Sequence, residues 1–132
     1  MTFYKKWLKF ITEKHKWQKR LNGNPYIIHP LRVSQEVSGD LEKTCALLHD
    51  VIEDTPTTYD ELKEVFSEEI ATIVEILTHR KGESYVDYIH RVKQNPHAVS
   101  IKIADICDNL SDSPSERAID KSATALDILL NQ

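Results

Sequence analysis

The chain has 132 residues, 40% of them hydrophobic and 29% charged, with three Gly, five Pro and a net charge of −4. That is the make-up of one soluble globular domain spanning residues 1–132, and it excludes low-complexity linkers, disordered tails and solenoid repeats. No run of 18 apolar residues occurs and "MTFYKKWLKF" holds no long apolar stretch, so neither a membrane span nor a signal peptide is expected, and the setting is expected to be cytoplasmic.

An amphipathic first helix follows from Phe3, Trp7, Phe10 and Ile11 at helical spacing among lysines, running to Lys19 before "LNGNPY" breaks it. Pro30 and Leu31 open a second helix through Ser38, Gly39 stops it, and Asp40 caps a third that contains "ALLHDVIEDT". "TPTTYDELKEVF" offers Thr57 or Thr58 as a cap, with Glu61 completing a capping box, and "SEEIATIVEIL" offers Ser67. "KGES" closes that pair; "YVDYIHRVKQ" forms a helix ending before Pro96, then come "AVSIKIADICDNL" and "PSERAIDKSATALDILL". "HAVSIKI" alone is β-branched enough to be ambiguous, but no hairpin signal supports a strand. The expected fold is all-α, with seven or eight helices. Cys45 and Cys107 lie in apolar helical surroundings without a CxxC partner and read as buried free thiols.

Charge is unevenly placed along this chain. Residues 1–32 carry eight Lys/Arg against one acid, and the other 100 carry nine against twenty. Such a division suits an anionic ligand held by the basic part and metal-assisted at the acidic part; a solvated lysine-rich helix face explains it equally well. A nucleic acid polymer is not expected as partner, because the balance is acidic and no reading motif occurs.

Within "ALLHDVIEDT", His49, Asp50, Glu53 and Asp54 interrupt a core-like sequence at i, i+1, i+4 and i+5, which on one continuous helix is a single stripe. Burying several carboxylates beside a histidine is prohibitive without a compensating cation, and a mixed imidazole and carboxylate set suits Mn, Fe, Zn, Co or Ni. One adjacent pair cannot enclose an ion. His29 in "PYIIHPL" and Asp105 in "SIKIADIC" are the other ionisable groups set in apolar frames, and with His49 and Asp50 they make a four-ligand set. Glu53 and Asp54, one turn beyond the pair, are placed to orient and deprotonate a hydrolytic water.

These segments carry a resemblance. "HKWQKRLNGNPYIIHPLRVS", "ALLHDVIEDT" with "TTYDELKEVFSEEIATIVEILT", and "IKIADICDNL" together resemble an HD-domain metal phosphohydrolase. They are closer still to the alarmone hydrolase domain of RelA/SpoT-type proteins and their small stand-alone relatives. The resemblance implies His29, His49, Asp50 and Asp105 as ligands of a divalent metal, usually Mn, and Glu53 and Asp54 as the catalytic pair. It implies Asn109 as a residue lining the nucleotide pocket and Arg20 as one packing on the guanine ring. The implied reaction is removal of the 3′-pyrophosphate from guanosine tetra- or pentaphosphate, with the basic N-terminal part holding the other phosphates. The length leaves no room for a synthetase domain, so degradation alone is expected.

Three positions depart from the family pattern: Trp17 stands where Gly is usual, Leu21 where a basic residue is usual, and Ser111 where Arg is common. They bear on nucleotide specificity. Two other functions fit the sequence: a phosphohydrolase of the same fold acting on another nucleotide, and a non-catalytic metal-binding module that docks a partner or membrane through an exposed first helix bearing Trp7 and Phe10. His79 and Lys81 read as helix-end cations, His90 and His97 as surface residues, and Asp108 and Asp112 as caps or solvent-facing acids. Tyr85 and Tyr88 fit either the core or a base-binding wall.

Overall fold

The computed structural model describes residues 2–131, with side chains from residue 6 onward, so the Phe3 side chain lies outside the described part. Nine helical segments occur among these residues: α1 (Thr2–Lys14), α2 (Ile28–Gln35), α3 (Asp40–Leu48), α4 (Val51–Asp54), α5 (Tyr59–Val65), α6 (Glu68–Ile76), α7 (Tyr85–Lys93), α8 (Pro96–Leu110) and α9 (Glu116–Leu130). Among the described residues the one β-type pairing is an isolated bridge between Lys19 and Pro25. The all-α expectation holds, and "HAVSIKI" is helical, opening α8.

Caps define most of these helices. Thr58, Ser67, Ser84, Asn95 and Ser115 each accept a backbone N–H from the first turn that follows, and Pro96 supplies the N1 position of α8. Glu61 gives its N–H to Thr58, but its carboxylate pairs with Lys14 at 3.0 Å, a use that differs from the expected capping box. Gly39, at φ 86°, is the N-cap of α3 and Asp40 its first residue, one position on from the sequence reading.

Three boundaries of α1 and α2 fall earlier than the periodicity predicts. The first helix ends at Lys14, not Lys19, because Trp17 takes the left-handed region at φ 70° and the backbone turns into a small loop. Arg20 N–H to Asn24 O and Tyr26 N–H to Gln18 O, both 2.9 Å, close that loop. The second helix starts at Ile28 and stops at Gln35; Lys43 Nζ takes the Ser34 and Val37 carbonyls at 3.1 and 2.9 Å.

The core is built by α3 at the centre, packed by α1, α2, α6 and α8, with α7 and α9 completing the far side. Ile11, Val33, Cys45, Leu47, Leu48, Val51, Leu62, Ile89 and Ile101 are among its fully enclosed side chains. Trp7 is buried and Phe10 packs edge-on against Phe66 with ring centroids 5.2 Å apart, so the face bearing them is not free to dock a partner or membrane. Cys45 is buried, its thiol pushed up to about 12 by burial, whereas Cys107 is exposed, contrary to expectation, on the outer side of α8. No helix among the described residues is long and apolar enough to cross a membrane.

Candidate metal centre

The "HD" pair does not lie on one continuous helix. Helix α3 ends at Leu48, His49 is its C-cap, Asp50 has φ −103° and ψ 2°, and α4 starts at Val51. His49 Nδ1 donates to Ala46 O at 2.6 Å, and its ring is buried by the fold around it. The chain therefore bends at the pair, which accounts for the extra helical segment and departs from the single stripe predicted. Helix α2 brings His29 in by burying Pro30 and Val33 beside it. Helix α8 brings Asp105 on the stripe that also holds Ala98, Ile101 and Asp108, all buried at helical spacing.

One ligand atom from each of His29, His49, Asp50 and Asp105 lies within 4.8 Å of the other three. Bonds of about 2.0–2.2 Å put opposite ligands of a first-row ion about 4 Å apart, so the set needs little adjustment to hold one. His29 Nε2 is 2.8 Å from Asp105 Oδ1 and 3.8 Å from Asp50 Oδ2; His49 Nε2 is 3.2 Å and 3.1 Å from the same two oxygens.

The other ring nitrogens decide what those distances mean. His29 Nδ1 donates to Asp108 Oδ2 at 2.7 Å, and His49 Nδ1 donates to the Ala46 carbonyl. In a neutral imidazole that leaves each Nε2 as a lone pair facing carboxylate oxygens, an arrangement that calls for a cation between them. Burial opposes the His49 charge, but Asp50 and Asp105 outweigh it and raise its pKa well above the usual value. Burial likewise opposes ionisation of Asp105, and Lys102, His49 and His29 overcome it to hold the carboxyl well below the usual range.

Supporting donors surround the ligands. The Tyr26 hydroxyl donates to Asp50 Oδ2, Lys102 Nζ to Asp105 Oδ2 at 3.0 Å, and Asn109 Nδ2 to Asp105 Oδ1 at 3.2 Å. Asp108 takes three donors, from His29, from Arg20 Nη1 at 2.9 Å and from Arg32 Nε at 2.9 Å. It is neither a cap nor a solvent-facing acid, because its side chain is enclosed by these partners. Arg20 also reaches Asn109 Oδ1 at 3.2 Å and Asp112 Oδ2 at 3.1 Å, so Asp112 too has a partner in the site.

Of the four, Asp50 and Asp105 line a cavity of about 690 Å³. Its wall also includes Glu53, Tyr85, Tyr88 and Lys121. Glu53 is exposed and accepts the His79 N–H at 2.9 Å; Asp54 is exposed and is not among the residues lining the cavity. Partial burial, then the charges of Asp50 and Glu53, push the Asp54 carboxyl up to about 6. His79 stacks on Tyr88 with centroids 4.8 Å apart, lines the cavity and donates from Nε2 to Glu83 O, which is more than a helix-end role. Of the eight cations expected in a basic N-terminal part, only Lys19 and Arg20 line the cavity among the described residues; Lys102 and Lys121 come from α8 and α9. Leu21, fully exposed, stands at its lip. A second cavity of about 390 Å³ lies against α8, lined by Arg32, Gln35, Ile103, Cys107, Asp108 and Ser111. His90 is exposed, and His97 pairs with Glu42 at 2.8 Å.

Sequence reasoning missed Tyr26, Lys102 and Asp108. Lys102 and Asp108 lie three residues either side of Asp105, a spacing that returns to one helix face and was available as a signal. Tyr26 carried none, since its partner is 24 residues away.

The HD domain family matches residues 8–104. A guanosine-3′,5′-bis(diphosphate) 3′-pyrophosphohydrolase of Aquifex aeolicus is 42% identical over 113 residues, covering 76% of this chain and 16% of that protein. An enzyme of the same name from Danio rerio is 38% identical over 116 residues, covering 78% of this chain and 64% of that protein. The chain thus spans a sixth to just under two thirds of these curated relatives. Its fold matches a solved structure of a metazoan ortholog of SpoT that hydrolyzes ppGpp, with a TM-score of 0.83 at 24% identity, covering 99% of this chain and 87% of that one.

Proposed function

The chain belongs to the HD domain family, and from that premise we propose that it hydrolyses guanosine tetra- and pentaphosphate to GDP or GTP and pyrophosphate, using Mn²⁺ held by His29, His49, Asp50 and Asp105. The observation that carries the reading is the lone-pair arrangement: two imidazoles fixed through Nδ1 turn Nε2 toward two carboxylates at the floor of a nucleotide-sized cavity. The names of the relatives supply the substrate.

A divalent ion bound there supplies Lewis acidity and a lowered pKa for water. The protein's own residues do the rest. Glu53 and Asp54 orient the water and take its proton, and the Asp54 carboxyl, near pKa 6, is poised to exchange protons close to neutrality. The water oxygen bonds to the phosphorus next to the ribose 3′-oxygen, the bond from that phosphorus to the 3′-oxygen breaks, and the 3′-oxygen takes a proton. Lys19 and Lys121 meet the outer phosphates, and Lys102 offsets charge beside Asp105. Arg20 and Asn109 are the nucleotide contacts, preorganised by their bond to each other and, through Asn109, by Asp105. We read residues 1–132 as one HD-type hydrolase domain working in the cytoplasm on a small guanine nucleotide, with no nucleic acid polymer or membrane as partner.

The test is pyrophosphate release from guanosine 3′-diphosphate 5′-diphosphate by purified protein with Mn²⁺, beside a Glu53→Gln, Asp54→Asn double variant. Turnover by the wild type alone is expected. Absence of turnover with Mn²⁺ demonstrably bound would refute this substrate, and a panel of other nucleotides would then identify the substrate of the same centre.

A further inference from the structure

Asp108 has a place in the fold that the reaction does not explain. It is not among the four ligand residues, yet its side chain is only 7% exposed and it receives donors from two elements. Oδ2 accepts from His29 Nδ1 at 2.7 Å and from Arg20 Nη1 at 2.9 Å, and Oδ1 accepts from Arg32 Nε at 2.9 Å. Its backbone carbonyl accepts the Ser111 hydroxyl, and Ser111 Oγ in turn accepts Arg32 Nη2 at 3.2 Å, so the end of α8 and Arg32 are fixed together. His49, the other imidazole, has a neutral backbone carbonyl as its Nδ1 partner. The two histidines are therefore unequal.

We infer that Asp108 is a positioning residue for the metal centre: it fixes the His29 tautomer and ring, makes Nε2 the stronger donor, and is held in check by the two arginines. A carboxylate behind a ligating imidazole raises its basicity, and such partners typically govern metal affinity by roughly 10- to 100-fold. Each arginine draws on the same carboxylate, so Arg32, half-exposed, weakens the polarisation of His29. Removing Arg32 must then strengthen the metal centre, the opposite of what damage to the fold would do.

This rests on the metal reading but not on the substrate. The experiment is Mn²⁺ titration of the full chain followed by the free-ion EPR signal, with thermal melts in chelator to establish folding. Asp108→Asn is expected to weaken Mn²⁺ binding roughly 10-fold or more with the chelated protein still folded. Arg32→Gln is expected to tighten it several-fold, and that gain is expected to vanish in the Asp108→Asn background, the signature of a shared interaction. Folded Asp108→Asn protein binding Mn²⁺ within about twofold of wild type would overturn the inference. Should Asp108→Asn not fold, Arg32→Gln decides alone, and unchanged or weaker binding would overturn it. Wild type that binds no Mn²⁺ would instead refute the metal reading itself.

Discussion

Two regions of this protein bring carboxylate, histidine and cation together, and only one of them calls for a metal. At the junction of α6 and α7, Arg91 gives Nε to Glu83 Oε2 at 2.8 Å and Nη2 to Oε1 at 2.9 Å, while Nη1 reaches the Ile76 carbonyl and Nη2 the Thr78 carbonyl. His79 Nε2 donates to Glu83 O. Donors and acceptors there are matched, and the cluster is complete. At the metal centre, two imidazole lone pairs face two carboxylates, with both Nδ1 protons directed outward. The lesson is that a surplus of acceptors around one point, rather than a density of charge, marks a place for a cation.

The sharpest way to break that contrast is to remove one of the facing acceptors. Asp105→Asn should abolish Mn²⁺ binding and lower turnover by at least about 1,000-fold, since both Lewis acidity and water activation go with the ion; retained binding in an EPR titration would refute the acceptor count. Next in size is the exposed pair on α4. Glu53→Gln with Asp54→Asn should lower kcat by roughly 10²- to 10⁴-fold while Mn²⁺ binding stays within a few-fold, as the proposed proton-handling role requires. Comparable losses in metal affinity and kcat would merge the pair with the ligands.

In the matched cluster, Glu83→Gln should cost stability, about 1 kcal/mol at neutral pH, and leave Mn²⁺ affinity alone. Hydrogen bonds from Arg91, helped by the Arg80 N–H, hold the Glu83 carboxyl down to about 2 against an ordinary 4.5. Its contribution is therefore complete above pH 4.5 and is lost as pH falls toward 2, so the Tm difference between wild type and variant should close across that window. A gap independent of pH would remove the ionic account. The smallest effect concerns Trp17, 87% exposed at φ 70°. Trp17→Gly should raise stability by about 0.5 kcal/mol by relieving the left-handed backbone, and a lower Tm would mean the indole contributes more than its exposure suggests.

The four residues that converge at the candidate metal centre were legible because each is an ionisable group in an apolar frame: His29 beside Ile28 and Pro30, Asp105 between Ala104 and Ile106. The capped helices α5 and α6 were legible because Thr58 and Ser67 act locally. The bend at His49 and Asp50 was not, because neither Gly nor Pro marks it; it accompanies a side-chain bond to Ala46 O in a histidine held by the tertiary fold. The early end of α1 was hidden for the related reason that Trp17 adopts a backbone its residue type disfavours. The i+3 spacing of Asp108 from Asp105 placed it on the site-facing side of α8, but its partner His29, 79 residues away, left its role unread.

The second cavity has a pharmacological consequence. Arg32 and Asp108 line it together, and behind Asp108 stands His29. A small molecule lodged there that competed for Arg32 would act on the centre from the rear of α8. Such a compound would need neither a chelating warhead nor the charge of a nucleotide mimic.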